Sequence, residues 1–328
     1  SHQGHVAAAL TPMINADDDV RARLSRAGWA RAMQRWQPLD APARPRICST
    51  VEVETDPQRA DERRRALSFL GFPADWVCWA DAADAARITG IRMHHGGLHF
   101  PQAQLAMPEY LISALLSRSG IRAEAREVGQ LRRVDGVAWQ ALDESGGVIG
   151  EADTVVLAGG ASDLRRLTGM PALSEMPKIS GLRKVAGQVS YFDEPSDAQA
   201  RAIVSGEGYW LPSAQGVTVG GSTYVADVAE AAISAQGERD IRAKLACLSP
   251  DASRLRSRSS GWAGWRAALS DRLPVIGPVD SVAGLWMACG YGSRGLTWSA
   301  LAGDIMAARL YGEPMPLERE LLKKMIPR

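Results

Sequence analysis

Residues 284–312 read Gly-Leu-Trp-Met-Ala-Cys-Gly-Tyr-Gly-Ser-Arg-Gly-Leu-Thr-Trp-Ser-Ala-Leu-Ala-Gly-Asp-Ile-Met-Ala-Ala-Arg-Leu-Tyr-Gly. Leu285 to Cys289 is a short apolar run bounded by glycines, the pattern of a buried strand. The spacing predicts a helix starting near Thr297, carrying Leu301, Ile305 and Leu310 on one side, and stopping at Gly312 with Pro314 beyond. Gly290, Gly292 and Gly295 lie between strand and helix, where backbone N–H groups approach a ligand and the helix N-terminus favours an anion. Arg294 adds a full positive charge there. An ordinary tight strand–helix connection has the same pattern.

Moving outward, Gly261-Trp-Ala-Gly-Trp-Arg-Ala-Ala-Leu-Ser-Asp-Arg-Leu-Pro-Val-Ile-Gly-Pro278 leads into this stretch. Asp153-Thr-Val-Val-Leu-Ala-Gly-Gly-Ala161 is an apolar run opening onto glycines, which predicts a central parallel strand. Before it, Asp135-Gly136 and Glu144 to Gly147 mark turns between short strands from Ile121 onward. Tyr209 to Pro212 and Val217 to Tyr224 predict a hairpin, followed by a charged helix over 229–248. Near the start, Asp17 to Asp19 precede a helical pattern running to Pro38, Ile47 to Glu54 alternates as one half-buried strand, and Asp61 to Leu70 reads as a surface helix. Pro108 and Glu109 open a helix from Tyr110 to Arg118, closed by Gly120. His99 is a candidate for meeting a substrate, with a structural role as its alternative.

The 328 residues are enough for two domains, and 46% hydrophobic with 23% charged residues is ordinary for a globular protein. No apolar run approaches a membrane span, so a cytoplasmic location is expected. A formal net charge of +1 excludes a strong global field, so a nucleic-acid partner requires a local patch such as Arg254, Arg256, Arg258 and Arg266, or Arg63 to Arg65; solvated surface has the same composition. Cys48, Cys78, Cys247 and Cys289 show neither C-x-x-C spacing nor clustering with histidine, and no metal site is expected.

Several of these segments, in order, resemble one family. Gly-Ser-Arg-Gly-Leu at 292–296 followed by its helix and Gly-Glu-Pro-Met-Pro-Leu-Glu, the 261–278 segment, Val185 to Ser190, and Gly4-His-Val-Ala-Ala-Ala-Leu-Thr-Pro12 are similar to the FAD-dependent oxidoreductase half of the MnmC bifunctional tRNA-modifying enzymes, within the D-amino-acid oxidase and glycine oxidase class. The resemblance implies an α/β fold, with a doubly wound FAD-binding domain over 1–46, 101–172 and 271–328 and an antiparallel-sheet substrate domain over 47–100 and 173–270. It implies FAD contacts at Gly4, Ala8 (where a glycine is more usual), Val128, Ala158, Gly159, Gly292, Ser293, Arg294, Gly295 and Leu296. Arg266, five residues before Asp271, falls where such enzymes bind a substrate carboxylate, and Tyr209 falls where they face the substrate pocket. A guanidinium grips a carboxylate through two parallel hydrogen bonds. No side-chain base is identified, and a neutral amine that gives hydride directly to flavin needs none.

The implied reaction is removal of the carboxymethyl group from 5-carboxymethylaminomethyluridine at the tRNA wobble position, giving 5-aminomethyluridine and glyoxylate. Oxidation of a free amino acid such as glycine or sarcosine, and a truncated non-catalytic paralogue, are the alternatives. Such enzymes begin with a strand, G-x-G-x-x-G, a helix and a second strand. This strand–turn–helix–strand fingerprint is not found in the sequence, where the G-x-G-x-x-G spacing at Gly290 to Gly295 has no second strand after its helix, and a βαβ unit takes about 30 residues or more, so weakened or absent FAD binding is expected unless that unit is restored. The methyltransferase half is expected as a separate or fused partner.

Overall fold

The computed structural model describes residues 3–136, 138–160, 164, 167–168, 173 and 176–327. They form two compact units, one of Ser1–Trp29, Met33–Ser119 and Ala186–Gly264, the other of Ala30–Ala32, Gly120–Val185 and Trp265–Arg328.

The first unit is built on a large mixed sheet. Its strands follow the order Val225–Ala226, Arg183–Asp193, Val217–Gly221, Tyr209–Ala214, Ile203–Ser205, Thr50–Val53, Gly97–Phe100 and Cys78–Ala80, with Arg256–Ala268 also pairing Arg183–Asp193. The predicted hairpin is present as Tyr209–Ala214 and Val217–Gly221. The helix Ala235–Leu248 packs Ile241, Leu245 and Leu248 with Phe192, Val204 and Trp210 in one buried cluster. Full burial of each such side chain contributes about 1.5–3 kcal/mol. This helix begins later than the charge pattern suggests, because the Ser234 hydroxyl accepts from the Gly237 N–H and caps it there. The first predicted helix is Val20–Trp36, with Asp19 accepting from the Ala22 N–H.

The predicted single strand from Ile47 to Glu54 is two strands. Ser49 adopts a left-handed φ of 54°, which breaks the run, so that Arg46–Ile47 joins a small sheet while Thr50–Val53 joins the large one. The small sheet has the order Ala8–Leu10, Gln104–Ala106, Arg46–Ile47.

The second unit holds two three-stranded sheets. Gln130–Val134, Ala138–Leu142 and Val148–Ala152 form an antiparallel meander, with Asp135 and Gly136 both at positive φ in its first turn. In the other sheet Leu285–Cys289 lies between Val155–Leu157, which is parallel to it, and Val275–Pro278, which is antiparallel. The predicted central strand at 155–157 is therefore parallel but stands at a sheet edge, with Val156 41% exposed, because Leu285–Cys289 is its one strand neighbour among the described residues. Ala161, at the end of that quoted run, lies outside the described residues.

Leu285 to Cys289 are all buried, as their pattern predicts. The helix beyond runs from Gly295 to Tyr311 and ends at Gly312 in the left-handed conformation. Thr297 is a buried residue of its first turn and Arg294 is the N-cap; Leu301 and Ile305 enter the core, whereas Leu310 is 47% exposed. Among the described residues no helix is long and apolar enough to cross a membrane.

Candidate active site

In the second unit the parallel pairing of Val155–Leu157 with Leu285–Met287 brings the carboxyl ends of both strands to the same sheet edge. Ala158 and Gly159 follow one strand, and the turn from Gly290 to Arg294 follows the other. Crevices at such carboxyl ends are where open α/β sheets take their ligands.

The turn is fastened to the Arg266 segment. The Gly292 N–H donates to the Ala267 carbonyl at 2.8 Å, and Ala268 bridges to Tyr291 in antiparallel fashion. Gly292 has φ of 56°, a conformation that a Cβ strains, so the type of residue here is dictated by the turn. The Arg294 N–H closes the turn on the Tyr291 carbonyl at 3.0 Å, and the Arg294 carbonyl accepts the Trp298 N–H at 3.1 Å. Arg266 is therefore held one peptide from the anchored Ala267. Trp265 projects from the opposite face of the strand, where the Lys184 ammonium lies 3.8 Å from its ring centroid.

Arg294 makes no side-chain cap to this helix, and as first-turn groups the N–H groups of Gly295 and Leu296 have no partner within the helix itself. A Cβ built at Gly295 would meet nothing within 4 Å. Donors, a helix N-terminus and open space fit the electron-rich edge of a flavin ring. The surroundings below are apolar: burial pushes the Cys289 thiol up to about 12 and also raises the Tyr291 hydroxyl.

In the first unit the segment Gly4 to Leu10 is held on both sides. The Tyr191 hydroxyl donates to the Gly4 carbonyl, and His5 stacks on Trp262 with centroids 4.4 Å apart and planes at 10°. Burial raises the Tyr191 pKa, so it remains a neutral donor. Ala8 pairs with Ala106 across the small sheet. Tyr209 is half-buried against a cluster that contains Ala7, Leu105 and Tyr191, and its ring lies across Gly221, where a Cβ would come within 2.3 Å of Cζ.

The sequence candidates thus fall into two groups. Gly4, Ala8 and Tyr209 gather in the first unit, and Ala158, Gly159, Arg266 and residues 292–296 gather in the second. Val128 lies in the irregular segment leading into the Gln130–Val134 strand, 37% exposed. His99 faces Cys78 across two strands, with Nδ1 3.7 Å from Sγ, and burial together with Arg87 lowers its pKa. Tyr191, Trp262 and Ala267 were not singled out from the sequence. For Trp262 the Trp-x-Gly spacing at 262–264 is a signal; for a backbone anchor such as Ala267 there is none.

A family model described as FAD dependent oxidoreductase (DAO) matches residues 2–309. The chain is 33% identical to the tRNA 5-methylaminomethyl-2-thiouridine biosynthesis bifunctional protein MnmC of Burkholderia mallei (strain SAVP1), covering 99% of this chain and 53% of that protein. It is likewise 33% identical to the protein of that name from Burkholderia thailandensis, over 99% of this chain and 53% of the relative. The chain therefore spans about half the length of the curated relatives it matches. Among solved structures it is similar to iminodiacetate oxidase from Chelativorans sp. BNC1, with TM-score 0.76 and 22% identity over 98% of this chain and 88% of that one. Glycine oxidase from Geobacillus kaustophilus gives TM-score 0.75 and 19% identity over 97% and 87% of the two chains. The two latter likenesses agree on the fold, the flavin-compatible turn agrees with the family model, and the chain belongs to the FAD-dependent oxidoreductase family.

Proposed function

We propose that the chain oxidises the glycine-like C–N bond of 5-carboxymethylaminomethyluridine at the tRNA wobble position, yielding 5-aminomethyluridine and glyoxylate. The observation that carries this reading is the Gly292 N–H to Ala267 carbonyl bond, which ties the carboxylate-binding candidate Arg266 to the turn and helix N-terminus suited to a flavin. The name of the Burkholderia relatives supports the tRNA substrate.

FAD, when bound, supplies the two-electron oxidation. Gly4, Ala8, Val128, Ala158, Gly159 and residues 292–296 would hold it, the last group offering N–H donors and the Arg294 charge to its anionic edge. Arg266 grips the substrate carboxylate bidentately and so fixes the methylene between carboxylate and nitrogen in one orientation. Tyr209 forms a wall of the pocket. The substrate loses two electrons and two hydrogens to become an imine, and water then cleaves the imine into the amine and glyoxylate. Segments 1–46, 101–172 and 271–328 serve the cofactor and 47–100 and 173–270 the substrate, with a methyltransferase as fused or associated partner.

The test is glyoxylate release from tRNA bearing 5-carboxymethylaminomethyluridine, beside free glycine and sarcosine, with the visible flavin spectrum recorded on the same sample. Turnover of the modified tRNA well above that of the free amino acids is expected. Turnover of glycine or sarcosine with none of the tRNA would replace this reading by that of a small amino acid oxidase, and a protein with no flavin bands would point to the non-catalytic alternative.

A further inference from the structure

Gln104 is 0% exposed, and neither its amide oxygen nor its amide nitrogen has a hydrogen-bond partner. A primary amide carries two donors and an acceptor, and burying it with both ends unmet is strongly unfavourable. Native structures keep few such groups, and each calls for a role.

The register of the small sheet points to one. Gln104 lies opposite Leu10, and Ala106 lies opposite Ala8. Opposed residues send their side chains to one face, so Gln104, Leu10, Ala106 and Ala8 share a face. Leu105 turns the other way, into the cluster with Ala7 and Tyr191. On the Gln104 face the two alanines present only methyl groups, Ala106 covered and Ala8 half-buried, and Ile47, the other neighbour of Gln104, is 54% exposed, so a flat ring entering beside Ala8 and Ile47 would lie along small side chains with the carboxamide at its edge.

We propose that the Gln104 carboxamide pairs with the pyrimidinedione edge of a ring bound along Ala8 and Ala106. In that edge an N–H stands next to a carbonyl: the amide oxygen accepts from the ring N–H, and the amide N–H donates to the ring carbonyl. The proposal rests on the function inferred above, which involves two molecules with this edge, the isoalloxazine of FAD and the uracil of the modified nucleotide. Three rotatable side-chain bonds let the amide turn toward either.

The test compares the full chain with Gln104→Leu and Gln104→Met, which keep size and remove the amide. Three quantities are read: the Tm of flavin-free protein, the Kd for FAD by fluorescence quenching, and the Kd of the FAD-loaded protein for 5-carboxymethylaminomethyluridine nucleoside. The expected result is a flavin-free Tm that rises, since an orphaned amide is gone, with at least a tenfold weaker Kd. A loss confined to FAD assigns the isoalloxazine; a loss confined to the nucleoside assigns the uracil. A Tm that falls in both variants, or two Kd values that stay unchanged, overturns the proposal. A wild-type chain that takes up no FAD instead undermines the functional reading beneath it, and this is seen before any variant is made.

Discussion

The Gly292 N–H donates to the Ala267 carbonyl at 2.8 Å, which ties the residue after Arg266 to the glycine turn within the second unit. In the proposed reaction, a substrate held by Arg266 would thereby be positioned by the same backbone that shapes the turn proposed to face the flavin.

Replacing Arg266 separates charge from geometry. A charge-assisted hydrogen bond is worth about 1.5–3 kcal/mol, so Arg266→Ala is expected to lower kcat/KM for a carboxylated substrate by about 10–100-fold. Arg266→Lys keeps the charge and loses the fork, and should recover only part of that. Steady-state kinetics with a substrate and its decarboxylated analogue decide it: an equal loss on both would show that Arg266 does not hold the carboxylate.

Two glycines of the turn predict opposite stability effects. Gly292→Ala puts a side chain at φ of 56°, costing about 1–2 kcal/mol, although the new Cβ would meet nothing closer than the Ala268 Cβ at 3.8 Å. Gly295→Ala adds a Cβ into open space at the start of a helix and should leave Tm unchanged or slightly higher. Both should weaken FAD binding, the first through the turn and the second by crowding the ring. Melting curves and flavin titrations of the two variants check this, and a Gly295→Ala protein with native FAD affinity would remove residue 295 from the cofactor site.

Asp251 predicts acid sensitivity. Burial alone raises its pKa, but three hydrogen bonds from Arg92, at 2.7, 2.8 and 3.0 Å, together with the nearby Arg254, hold it below the usual carboxylate range. A depressed folded-state pKa gives stability that is present above the unfolded value of about 3.9 and is lost as pH falls through the folded one. Arg92→Ala should cost about 1–2 kcal/mol at pH 7, discounted because the Arg92 side chain is 67% exposed. The deficit should shrink at pH 3. Thermal melts at the two pH values show whether it does.

Glu194 predicts the reverse. Burial raises its pKa, while the Trp210 indole N–H at 2.7 Å and the Ala200 N–H at 3.1 Å pull it back only in part. A raised folded-state pKa gives stability that is present below the unfolded value of about 4.3 and is lost as pH rises through the folded one. Glu194→Gln retains an acceptor for Trp210 without the ionisation, so its Tm relative to wild type should be higher at pH 7 than at pH 4. A variant that loses more stability at pH 7 than at pH 4 would refute this.

The features legible in the residue pattern are local and periodic. The five apolar residues 285–289, the left-handed stop at Gly312, the Tyr209 hairpin and the Asp19 cap all follow from side-chain spacing and from backbone conformations that few residues tolerate. Even locally it was incomplete: a left-handed Ser49 splits an alternating run that looks continuous, since alternation records which face is buried and not where the backbone turns. The remaining features arise from contacts between residues far apart in the chain. Tyr191 reaches Gly4 across 187 residues, His5 finds Trp262, and a backbone carbonyl at Ala267 anchors the turn, none of which leaves a mark in composition or period. Gln104 shows the difference most clearly: in the sequence it is one polar residue of a short strand, and only its burial without a partner reveals that the fold has placed it there at a cost.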